Sequence, residues 1–168
     1  DIPVWEHKVF RATPALADRV YQQPDAFVRE AFGGAAPKPS ALWLDDAVKR
    51  EARAILGHDY PALRLRYWGA APRTVWVLEE VGKDAPITIG VVVEHGRIER
   101  MRVLVFRESR GWEIESSAFV RQYQGAKLAR DALDRPIDGI SGATLSVRAM
   151  TKIARLALAL HARVVAAP

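Results

Sequence analysis

PIDGISGATLSVRAM, Pro136 to Met150, holds a change of pattern: two glycines and short polar side chains give way to apolar residues at helical spacing. Downstream, Ser146, Met150, Ile153, Ala157, Leu160 and Val164 fall on one helical stripe, while Arg148, Lys152, Arg155 and Arg163 fall on the opposite side. A long helix with one buried and one wet face is therefore expected from about Leu145, just after the Ser-Gly-Ala-Thr run. A helix start exposes unpaired N–H groups and a partial positive charge. Gly139 and Gly142 permit a tight backbone and close approach of a ligand. Ser141, Thr144 and Ser146 add hydroxyls, and Arg148 lies about one turn in. Two readings stand side by side: a phosphate site, or an ordinary helix capped by Thr144 or Ser141. The stretch carries neither a P-loop nor a dinucleotide-binding fingerprint.

Working outward, residues 63–114 change character. LRLRYW, TVWVLEEV, ITIGVVVE and RIERMRVLVF are rich in β-branched and aromatic residues and partly alternate, which predicts a meander of about four strands. His95-Gly96 sits where a tight hairpin turn belongs, and Gly82-Lys83-Asp84 marks another. Residues 117–130 suggest a short helix and loop. Nearer the N-terminus, residues 15–32 suggest one or two short helices broken at Pro24. Residues 33–39 form a small-residue linker. SALWLDDAVKREARAILG predicts a helix with Ser40 as N-cap and Gly57 as its end. The expected fold class is α+β: an antiparallel β-meander with N-terminal helices and a long C-terminal helix. One domain spans 1–168, with 1–60 a helical extension and 63–168 the core.

Bulk composition excludes several functions. The chain has 168 residues, 49% of them hydrophobic, and no cysteine, so thiolate metal sites, disulfides and thiol nucleophiles are ruled out. No apolar run approaches the length of a membrane span. The chain opens Asp1-Ile2-Pro3-Val4-Trp5 without a signal-like segment. The net charge of +5 is dispersed rather than clustered, which argues against nucleic acid as a partner. His7, His58, His95 and His161 share no ligand spacing, so no metal is expected. No Gly-x-Ser-x-Gly elbow supports a hydrolase.

Asp138-Gly139-Ile140-Ser141-Gly142-Ala143-Thr144 resembles the flavinylation motif of the FMN-binding domain family, which includes the periplasmic flavoprotein subunits of the sodium-pumping NADH:quinone oxidoreductase and of the Rnf complex. The resemblance extends to GVVVEHGRIERMRVLVFRESRGWEI, Gly90 to Ile114, and to FVRQYQGAKL, Phe119 to Leu128. Many relatives read Ser-Gly-Ala-Thr-x-Thr where this chain has Ser146. The resemblance implies FMN carried by Thr144 through a phosphoester, placed there by a separate transferase that uses FAD. Ser141, Gly142, Ala143, Leu145 and Ser146 would surround the phosphate, with Asp138 and Gly139 shaping the turn or serving the transfer step. It places the Glu108-Ser109-Arg110-Gly111 loop against the isoalloxazine ring. There Glu108 and Ser109 would bond its polar edge, Arg110 would stabilise the reduced form and Trp112 could stack.

The implied function is an extracytoplasmic electron carrier between membrane or periplasmic redox proteins, more a carrier than a stand-alone enzyme, in a mature chain without its signal or anchor. The alternatives are a flavin-dependent reductase of a small acceptor, and a non-redox phosphate- or nucleotide-binding module.

Overall fold

The structure, a computed structural model, describes residues 18–166; Trp5, His7 and the first residues of the predicted 15–32 helix lie outside them. Its centre is a six-stranded antiparallel sheet in the order β1-β6-β5-β4-β3-β2. The predicted meander is there as β3 (Arg64–Ala70), β4 (Arg73–Val81), β5 (Pro86–Glu94) and β6 (Arg97–Phe106). β5 and β6 turn at His95-Gly96, where both residues adopt positive φ, 52° and 74°, as the tightest hairpin turns require. Two short edge strands, β1 (Arg19–Val20) and β2 (Ser40–Trp43), complete the sheet by pairing with β6 and β3.

Both faces of the sheet are covered, which explains why the strand sequences alternate only in part. On one face, Trp76 and Leu78 of β4 and Ile87, Ile89, Val91 and Val93 of β5 join a large buried cluster. That cluster includes helix α2 (Asp46–Leu56) and the long helix α4 (Thr144–Ala166). On the other face, Val75, Val92, Leu104 and Val105 pack with Phe27 and Val28 of helix α1 (Pro24–Ala31). Inner strands flanked on both sides read as continuous apolar runs.

Two N-terminal expectations need correction. Pro24 does not break a helix; it begins α1, where its fixed φ suits the first turn and its missing N–H costs nothing. Ser40 is no N-cap, because Ser40–Trp43 is strand β2 paired with Arg64–Tyr67. The helix starts later, at Asp46, and Asp45 caps it by accepting the Val48 amide at 3.0 Å. Pairing along an open edge of the sheet outweighed the local helical pattern. The predicted end at Gly57 is there, in the left-handed conformation at φ +85°.

The segment after β6 folds as short pieces: a 3-10 turn (Trp112–Glu115), helix α3 (Ser117–Val120), a second 3-10 turn (Arg121–Tyr123), and a small hairpin of β7 (Leu128–Ala129) and β8 (Ala132–Leu133). α4 then runs back across the sheet. Ser146, Met150, Ile153, Ala157 and Leu160 are buried as the stripe predicts, and Ala154, Leu156, Leu158 and Ala159 are buried too, because α2 covers a second flank of the helix. Among the described residues no helix is long and apolar enough to cross a membrane.

Polar side chains lock α4 in place. Trp76 Nε1 donates to Thr74 Oγ1 at 2.8 Å, and that hydroxyl meets His161 Nδ1 at 2.7 Å. Burial lowers the His161 pKa, which favours the neutral ring in this hydrogen bond. On the helix's other flank, Lys152 Nζ lies 3.6 Å from the buried Glu80, which also binds His58 Nε2 at 2.9 Å.

Candidate functional site

Three segments converge at the start of α4. The first is the loop before it. Ala143 donates its amide to the Ile140 carbonyl at 3.0 Å, closing a tight turn whose third residue, Gly142, sits at φ +83°. That position needs positive φ, which glycine takes without strain. The Val147 amide then bonds the Ala143 carbonyl at 2.9 Å. Ala143 therefore occupies the cap position, and Thr144 is the first helical residue rather than the residue before the helix. Neither Thr144 nor Ser141 caps. An alanine has no acceptor to offer, so the amides of Thr144, Leu145 and Ser146 are left without a side-chain cap among the described residues.

The loop is held from the side by Gln122. Its amide nitrogen donates to the Asp138 carbonyl at 3.1 Å, and its oxygen accepts the Asp138 amide at 2.7 Å. Asp138 is thus gripped through its backbone while its carboxylate stays exposed. Gln122 lies inside the segment that precedes the motif, but nothing in its spacing marks it as a clamp. Only the fold brings it 16 residues along to Asp138.

The second segment follows β6. Arg107 is buried and donates to the Pro86 carbonyl at 2.8 Å and to Thr88 Oγ1 at 3.0 Å; burial holds its pKa below the usual arginine value. Glu108, also buried, turns its carboxylate onto the third segment, the turn between β4 and β5. It accepts the amide of Lys83, that of Asp84 at 2.8 Å and that of Ala85 at 3.0 Å. The carboxylate expected at a ligand's polar edge is therefore a brace between two loops. Ser109 and Arg110 are exposed beside it.

Gly111 locks this loop against α4. Its φ is +89°, and a Cβ built there would lie 2.3 Å from Ser146 Oγ. Ser146 is itself 4% exposed, so its hydroxyl is spent on packing beneath the helix start. Thr144 is two residues earlier, some 200° around the helix at 3.6 residues per turn, and exposed. Trp112 is 44% exposed and Leu145 41%. The Arg19 guanidinium lies 5.0 Å over the Trp112 ring, so one face of that indole is already engaged.

The electrostatics favour an anion. Lys83 and Arg110, on two of the converging segments, and Arg148, within α4 itself, are exposed and make no ion pair among the described residues. Together with the uncapped amides they put positive charge on the elements that meet at the helix start, whose first residue is the exposed Thr144. This donor set fits a phosphate ester, and exposed Leu145 and Trp112 give a flat apolar group something to lie against. The histidines form no such cluster: His58 pairs with Glu80, His161 with Thr74, and His95 is in a turn. Among the described residues no group of three His, Asp or Glu side chains could hold a metal ion.

Compared with known families, residues 82–159 match the model of the FMN-binding domain. The matched span opens at the turn braced by Glu108 and closes within α4, so it contains all three converging segments. No curated protein and no solved structure matched the chain.

Proposed function

Because the chain carries an FMN-binding domain across residues 82–159, we propose that it holds FMN as a phosphoester on Thr144 and serves as an electron carrier outside the cytoplasm. The observation that carries the reading is the uncapped start of α4. Thr144 presents an exposed hydroxyl at the first helical position; among the described residues the first three helix amides have no side-chain partner, and Lys83 and Arg110 of the adjoining loops and Arg148 of α4 make no ion pair.

In the attachment step the Thr144 oxygen replaces AMP at the flavin-side phosphorus of FAD. The hydroxyl proton leaves and the pyrophosphate bond breaks, so no oxidant or reductant is consumed. A separate transferase supplies the catalysis. This chain's part is to hold the acceptor: the Gly142 turn aims Thr144 outward, Gln122 fixes the loop, and the helix amides stabilise the added negative charge by about 0.3–2 kcal/mol. Bound FMN supplies exchange of one or two electrons. Arg110 adds positive charge close to the site, which favours the electron-rich state of a neighbouring group. The partners this reading implies are the transferase and membrane or periplasmic redox proteins.

In-gel fluorescence tests the proposal. Protein co-expressed with an FAD-dependent flavin transferase, then denatured, should keep flavin fluorescence at the chain's own mass. Protein made without the transferase should be folded and dark. Flavin that washes away on denaturation of the co-expressed sample contradicts covalent attachment.

A further inference from the structure

A second site lies further along α4. Between the β7–β8 hairpin, the 135–137 segment and the helix is an open cavity of about 290 Å³, lined by Asp131, Leu133, Arg135, Ile137, Thr151 and Arg155 among others. Thr151 and Arg155 are 7 and 11 residues past Thr144, so they share its face, and the cavity begins about 10 Å along the helix from it.

Arg155 is the feature that asks for a ligand. Its Nε is buried and has no hydrogen-bond partner, and the guanidinium forms no ion pair among the described residues. The buried Nε is closed to a ligand, so the two Nη groups of the guanidinium are the donors that can meet one in the cavity. Two other polar groups on the wall, Arg135 and Thr151, already have partners. Arg135 donates to the Gln124 carbonyl at 2.9 Å and to Asp134 at 3.2 Å. Thr151 Oγ1 shares a 2.8 Å hydrogen bond with Tyr123, whose hydroxyl burial pushes up to about 12, so the phenol stays protonated.

From this cavity we infer that Arg155 anchors a small organic monocarboxylate. A guanidinium with a free edge matches a carboxylate in shape and charge. Leu133 and Ile137 supply apolar wall for a short hydrocarbon body. Asp131 stands exposed at the same cavity and repels a second negative charge, so a dicarboxylate or a doubly charged phosphate is disfavoured. The cavity volume limits the ligand to a few carbon atoms.

The test is NMR titration of the arginine Nε–H signals in the full chain at fixed ionic strength. Butyrate is the probe, with butan-1-ol, succinate and inorganic phosphate as comparators. One Nε–H signal, absent from Arg155→Lys, should move saturably with butyrate at a dissociation constant on the order of 1 mM. Butan-1-ol should produce no saturable shift, and succinate and phosphate should bind at least about tenfold more weakly. In a folded Arg155→Gln variant, butyrate binding followed by calorimetry should fall about tenfold or more. Asp131→Asn should let succinate bind as well as butyrate, while Thr144→Ala should leave butyrate binding unchanged. Any of three results overturns the inference: no saturable butyrate shift, equal response to butan-1-ol, or phosphate binding the tighter. Should Arg155→Gln fail to fold, the Arg155→Lys and Asp131→Asn titrations decide the matter alone.

Discussion

α2 and α4 both begin beside the sheet, yet their first turns are built in opposite ways. At α2 the residue before the helix is Asp45, whose carboxylate takes the Val48 amide at 3.0 Å. At α4 the same position is Ala143, which is buried and has no acceptor. α2 completes its own terminus. α4 is instead held from outside, by Gly111 under Ser146 and by the Gln122 clamp on Asp138. Its amides and the Thr144 hydroxyl are thereby left open. A helix start that depends on neighbouring loops while exposing its donors leaves room for the anion that the proposed function requires.

This contrast predicts unequal mutational costs. Gly111→Ala should be the most damaging, since it combines positive φ with an atom driven 2.3 Å from Ser146 Oγ. A loss of about 3 kcal/mol is expected in denaturant unfolding. A loss under about 1 kcal/mol would show that the loop is not locked to α4. Glu108→Ala should cost less, about 2 kcal/mol. It frees the Lys83, Asp84 and Ala85 amides, and hydrogen exchange at the three should quicken together. Exchange unchanged at all of them would remove Glu108 as the brace.

Asp45→Ala, at the self-capped helix, should cost about 1 kcal/mol and leave flavin loading untouched. Loss of loading in that variant would break the comparison, because it would couple α2 to the site. The smallest effect is a pH dependence at the link between the helices. His58 follows the end of α2 and pairs with Glu80, which also meets Lys152 of α4. A hydrogen bond with the Asp59 backbone, then one with Glu80, raises the His58 pKa above its ordinary 6.5. A raised folded-state pKa means stability fully present below about 6.5 and lost as pH rises through the folded value. Thermal unfolding should therefore weaken slightly from pH 6 to 8 in the wild type. His58→Gln should flatten that slope, and an unchanged slope would remove His58 as its source.

Much of this was legible in residue pattern. The meander, both predicted turns, the Gly57 stop and the long terminal helix follow from local periodicity and glycine placement, and those local rules hold here. What pattern could not show is pairing across the chain. Ser40–Trp43 reads as the start of a helix and becomes a strand because β3 offers an open edge. Glu108 reads as a group facing a ligand, and its actual partners are amides 23 to 25 residues earlier. The motif itself pointed to Thr144, but its placement as first helical residue depended on which neighbour would cap. Ser141 and Thr144 were the chemically able candidates, and the backbone put Ala143 there instead. Arg155 was read as part of a wet face, whereas its Nε is buried.

The central claim, that the uncapped start of α4 exists to carry a flavin phosphate on Thr144, is most directly tested by mass mapping of protein matured with the transferase. One FMN less one water is expected on the peptide containing Thr144, with complete loss in Thr144→Ala and retention in Ser141→Ala. An adduct that persists in Thr144→Ala, or that maps to another residue in the wild type, contradicts it.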